Sequence, residues 1–99
     1  MEVRQLRYFL QVYQDGSILR AARNISISQQ ALSKAITSLE QEVGVPLFRR
    51  TARGLIPTET GELLCELAQP VVDSMDALLD QISVSAKLNN LQFTLGISQ

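Results

Sequence analysis

A mainly α-helical chain with one short β-hairpin is what these 99 residues predict, on three observations. Apolar side chains recur with the helical spacing i, i+3, i+4, i+7 in the first 43 residues. A Gly-containing turn flanked by two short apolar segments follows them. Beyond Thr58 one apolar stripe then runs on for roughly 30 residues, or about 45 Å at 1.5 Å per residue.

The first helix is expected from Val3 to Gln14, with Leu6, Phe9, Leu10 and Tyr13 on its inward side. Asp15-Gly16 should end it, because Gly takes the left-handed conformation that closes helices, and Ser17 is placed to cap the next. Ile18, Ala21, Ala22 and Ile25 mark a short second helix. Its small Ala pair allows a close approach by the third. Ser28 is the favoured cap of that third helix, which puts Gln29 and Gln30 in its first turn. Gly44 and Pro46 stop it.

The outer face of the third helix is the most informative surface in the chain. Leu32, Ala35, Ile36, Leu39 and Val43 form one stripe, and Gln30, Ser33, Lys34, Thr37 and Gln41 lie opposite. That face holds no acid; Glu40 and Glu42 come only near the end. Surface helices usually mix Glu with Lys, so amides, hydroxyls and one cation suit a groove lined with phosphates. Gln and Ser both donate and accept, which is what reading base edges requires. The plain alternative is a helical corner with a polar outside.

Leu47 to Pro57 should form a hairpin carrying Arg49, Arg50 and Arg53 at or near its tip. Beside two helices of this kind it is a wing, and an arginine at its tip can enter a narrow minor groove. The fold class is therefore a winged helix-turn-helix (three helices and a two-stranded hairpin) followed by a long helix. Thr58 should cap that helix, expected to run to about Leu88 with Pro70 bending it mildly. Leu64, Leu67, Val71, Met75, Leu78 and Ile82 recur at coiled-coil-like spacing, and a partner chain is the expected cover for so long a seam. Cys65 beside it reads as core packing. Lys87 to Asn90 reads as a linker. The alternation Leu91, Phe93, Leu95, Ile97 then reads as a strand, either the first of an absent domain or one paired with another copy.

Charge divides along the same line. Residues 1–58 carry a balance of +4 and residues 59–99 one of −5, so the net −1 hides a basic head and an acidic tail. With no histidine and one cysteine, a His/Cys metal cluster, an intrachain disulfide and a Ser-His or Cys-His nucleophile are excluded. The carboxylates are scattered along helix surfaces, and no enzyme is expected. A 45% hydrophobic and 19% charged composition fits one small globular domain, not a disordered chain or a membrane span. Met1 leads directly into an amphipathic helix, so no signal peptide is read and the expected location is the cytoplasm.

Several runs together resemble the N-terminal half of LysR-type transcriptional regulators. They are Leu6-Arg7-Tyr8-Phe9, Gly16-Ser17 with Arg20-Ala21-Ala22, Ser28 to Ile36, Leu39-Glu40, Val43 to Arg50, and Pro57 to Gly61. The resemblance covers nearly the whole chain. It implies a bacterial, sequence-specific DNA-binding domain (residues 1–58), a dimerisation helix (59–88) and, from 89 to 99, the entry to an effector domain. That domain would sense a small molecule; the present chain is expected to need no cofactor. The implied partners are double-stranded DNA and a second copy, with a tetramer as a further assembly of the full-length protein. Carried over residue by residue, Gln29, Gln30, Ser33 and Lys34 match the base-reading face of the recognition helix, and Arg53 matches the wing arginine of the minor groove. Ser28 and Thr37 on the helix and Arg50 and Thr51 in the wing complete the candidate DNA-binding residues. Gln30 stands where the family usually has proline and Lys34 where arginine is common, so Lys34 offers a point charge instead of a fork. The other reading of such a fold is a protein-interaction module that does not bind DNA.

Overall fold

A computed structural model describes residues 1–97, and side chains over residues 1–89. The elements are α1 (Val3–Asp15), α2 (Ile18–Asn24), α3 (Gln29–Val43), β1 (Phe48–Thr51), β2 (Gly54–Pro57) and α4 (Glu59–Ile97). The stops and starts follow the local signals. Gly16 is left-handed at φ 64° and closes α1, while the Ser17 and Ser28 hydroxyls accept from the third backbone N–H beyond them and cap α2 and α3. Gly44, at φ 94°, ends α3. The turn into α3 is a Schellman closure built without glycine. Ile27 N–H donates to Ala22 O, Ser26 N–H donates to Arg23 O, and Ser26 itself sits at φ 59°.

Phe9 and Val12 of α1, Ala21 and Ala22 of α2, Leu32, Ile36 and Leu39 of α3, and Leu47 ahead of the wing form one buried core. Among the described residues no polar or charged residue is buried. Asp15 ties the end of α1 to the end of α2: one carboxylate oxygen accepts from Gln11 Nε2 at 2.8 Å and from Asn24 Nδ2 at 2.9 Å. Those two bonds, Gln11's first, hold its pKa below the ordinary value.

The hairpin is antiparallel and pairs Phe48 with Pro57 and Thr51 with Gly54. It is docked by Leu55 N–H donating to Gly16 O at 3.0 Å and by the Phe48 ring lying 5.3 Å from that of Phe9. Glu40, the first acid on α3, has a structural role there: its Oε2 accepts from Leu47 N–H at 2.7 Å. Glu42 pairs with the α-amino group of Met1 at 2.7 Å.

The start of α4 crosses the head at very close range. Thr58 donates from its N–H to Leu47 O and from Oγ1 to Pro46 O, and Gly61 N–H donates back to Thr58 Oγ1. A Cβ on buried Gly61 would stand 2.1 Å from Leu47 O. Gly61→Ala is therefore expected to lower stability by about 1–3 kcal/mol, since a backbone oxygen cannot move aside as a flexible side chain can. Denaturant unfolding checks this, and an unchanged midpoint would show that the crossing relaxes freely.

Two expectations about α4 need correction. The helix does not end near Leu88 but continues through the 87–90 linker and the expected strand to Ile97. Residues 91/95 and 93/97 are also i,i+4 pairs, and with no sheet alongside, a helix alone satisfies the backbone within the chain. Ser98 and Gln99 lie outside the described residues. The apolar stripe is also two stripes, offset by one residue and so by about 100°. Leu64, Cys65, Ala68 and Val72 pack on the head, Ala68 and Val72 in a second small core with Leu6 of α1. Leu63, Leu67, Val71, Leu78 and Ile82 remain exposed, with Met75 half-buried. Leu64, counted with the seam from sequence, is thus half-buried against its own head. Cys65 is packed as expected, and burial pushes its thiol pKa up. Pro70 lies within the helix without ending it. No described helix is long and apolar enough to cross a membrane.

Candidate nucleic-acid interface

Capping by Ser28 sets the first turn of α3 free of acids and leaves Gln29 and Gln30 exposed at the helix start. The Ser28 oxygen is occupied by Ala31 N–H at 3.0 Å, but its own O–H is left to donate. Farther along, Lys34 and Thr37 are exposed and Ser33 is half-buried. Among the described residues Gln29, Gln30, Ser33, Lys34 and Thr37 make no side-chain hydrogen bond within the chain, so their donors and acceptors stay available.

The wing stands against this face. Gln29, Arg50, Thr51 and Gly54 line one open groove between the start of α3 and the hairpin, together with Ser17 and Leu19 at the start of α2. Ser33, Thr37, Glu40 and Arg50 line a second groove farther along. Arg50 borders both, so wing and helix share one wall. Its strand neighbour Arg49 pairs across the hairpin with Ile56, on the alternate side. Arg53 is exposed in the two-residue turn.

Thr51 lies in the wing as expected, but its hydroxyl serves the turn. Oγ1 donates to Gly54 O at 3.0 Å and accepts from Arg53 N–H at 3.2 Å, which uses its one donor and fixes the backbone that carries Arg53. Gly54 is needed at φ 113°, where a Cβ would also stand 2.7 Å from Gly16 O.

Among the described residues there are two ion pairs, Met1–Glu42 and Arg7–Asp76. Arg4, Arg20, Arg23, Lys34, Arg49, Arg50 and Arg53 are thus cations without a salt-bridge partner. Lys34 on α3 and Arg50 and Arg53 in the wing, none in a salt bridge, make this face complementary to a polyanion. Sequence reading missed Ser17 and Leu19 as the far wall of the first groove, because that wall forms only when β2 docks on the α1–α2 turn. It also missed Glu40's bond to Leu47 N–H just ahead of the wing, for which no local signal exists.

Comparison with known proteins agrees with this geometry. Residues 3–62 match the model of the bacterial regulatory helix-turn-helix proteins of the lysR family. The chain is 43% identical over 98 residues to the HTH-type transcriptional regulator BudR of Klebsiella aerogenes, covering 99% of this chain and 68% of that one. It is 48% identical over 69 residues to the regulator ClcR of Pseudomonas putida, covering 70% of this chain and 24% of ClcR. It spans 34% of BudR from Raoultella terrigena. Among solved structures, the BenM DNA-binding domain bound to catB site 1 DNA superposes with a TM-score of 0.82 at 32% identity, over 87% of this chain and 97% of that one. The CbnR DNA-binding domain in complex with DNA gives 0.78 at 31% identity, over 87% and 99%. The chain belongs to the lysR family of bacterial regulatory helix-turn-helix proteins, and it is a sequence-specific DNA-binding domain of that family, not an enzyme.

Proposed function

We propose that this domain binds a pseudo-palindromic operator as a homodimer, setting two copies of α3 in successive major grooves about 34 Å apart with a wing in each flanking minor groove. The observation that carries this reading is the outer face of α3, free of acids and unpaired from Gln29 to Thr37, beside an arginine wing. Gln29, Gln30, Ser33 and Lys34 contact base edges, and Ser28, Thr37 and Arg50 hold the flanking phosphates. Arg53 enters the minor groove. Leu67, Val71, Leu78 and Ile82, with Met75 at their edge, are the surface that a second copy covers. The whole regulator is longer than this chain, as the spans of its relatives support. The rest of it would hold the small-molecule effector domain and any tetramer contacts, and it would act in the cytoplasm.

Selection of bound sites from a random duplex pool tests the proposal. Two related half-sites about one helical turn apart should be enriched. Absence of any enriched sequence would overturn it in favour of a module that docks proteins. Gln29→Ala and Gln30→Ala should each relax the preference at one base position by about 1–3 kcal/mol, read by competition between selected and mutated duplexes. An equal loss at all sequences would make them backbone contacts.

A further inference from the structure

We propose that the Arg7–Asp76 ion pair is a positioning device that sets the angle between the DNA-binding head and α4, and through it the half-site spacing the dimer accepts. This rests on the homodimer reading above. α4 is held to the head by hydrogen bonds at its start, by an apolar stretch after it and by the ion pair. At its start, Gly61 lies under Leu47 O and Thr58 bonds to Leu47 and Pro46, which fixes position but leaves a pivot. Beyond that, the contact is apolar: Leu64 and Cys65 lie half-buried against the main core, and Ala68 and Val72 form a small patch with Leu6, flanked by Val3 and Leu10. Apolar contact is non-directional, and Ala68 offers little to interlock. Arg7 Nη2 meets Asp76 Oδ1 at 2.7 Å, one turn past Val72. From Asp76 to Asn89 every residue is exposed, so this pair stands where the helix leaves the head.

The lever is long enough to matter. α4 rises about 22 Å from Gly61 to Asp76, so a tilt of about 9° about Gly61 moves it there by about 3.4 Å, one base-pair step. Whatever fixes that tilt fixes which spacing both heads can engage without distortion. The pair is half-exposed, and such pairs add little to stability, so its variants should fold.

The test uses the 99-residue chain and duplexes carrying the selected half-sites at spacings varied in one-base-pair steps, with a single half-site as reference. Wild type is expected to favour one spacing. Arg7→Ala and Asp76→Ala should each cut the affinity ratio between that spacing and its neighbours at least threefold while leaving the single half-site unchanged. Combining Arg7→Asp with Asp76→Arg should restore the ratio. Raised salt should flatten it in wild type, because a half-exposed pair is screened. If Asp76→Ala instead tightens binding equally at all spacings, Arg7 is a phosphate contact and the proposal is overturned. Full preference in both single variants, or no rescue by the exchanged pair, overturns it alone. A wild-type chain that sediments as a monomer and shows no spacing preference overturns the dimer reading as well.

Discussion

Phe9→Ala is expected to lower the stability of the domain by about 3–5 kcal/mol, the usual cost of emptying a fully buried aromatic site. Phe9 is 0% exposed, and its ring lies 5.3 Å from that of Phe48 and 6.3 Å from that of Tyr13. It is where α1, the core beneath α3 and the first wing strand meet, so the cavity would lie under both halves of the interface. Small domains have about 5–15 kcal/mol in all, and each kcal/mol lost lowers Tm by roughly 4–8 °C at this size. Thermal unfolding followed by circular dichroism should show a fall of more than about 10 °C. Phe9→Leu, which fills most of the space, should cost less. A Phe9→Ala loss below about 1 kcal/mol would mean that the site collapses, and that Phe48 does not depend on Phe9 for its place.

The second large effect is the response of DNA affinity to salt. Seven cations of the head lie outside any ion pair, and α3 offers no acid before Glu40. If three to five of them on each subunit neutralise a phosphate, log K should fall against log[salt] with a slope of roughly −5 to −9, which is about 10³–10⁵ in affinity between 50 and 200 mM. Replacing Arg50 by alanine should reduce the slope by up to about 2 for the dimer. Gln29→Ala should leave the slope alone while altering base preference. Titration by fluorescence anisotropy at several salt concentrations reads both, and a slope near zero for wild type would remove duplex phosphates as the partner of this face.

The elements that could be read from sequence are those with local punctuation. Gly16, Ser17, Ser28, Gly44 and Pro46 each act on neighbouring backbone, and α1, α2, α3 and the hairpin appear where those residues put them. The polar outer side of α3 was legible for a related reason: helical period alone separates Gln30, Lys34 and Thr37 from Leu32, Ile36 and Leu39. What could not be read depends on distant partners. Ser26 takes a left-handed turn usually marked by glycine, and Glu40 reaches a backbone N–H seven residues away. Leu64 and Leu67 look alike in sequence, yet one packs on its own head and the other is exposed. The strand expected at 91–97 misled because alternation also contains i,i+4 pairs, and only a neighbouring sheet would select the extended form.

The distal part of α4 has a consequence for how the chain behaves on dilution. Past the Arg7–Asp76 pair, residues 77–89 are all exposed, and an isolated helical segment of about that length is marginal in water. Its helicity should therefore track protein titre, rising as copies associate and fading at nanomolar levels while the head stays folded. Far-ultraviolet ellipticity per residue, ordinarily an intensive property, becomes for this molecule a direct gauge of self-association.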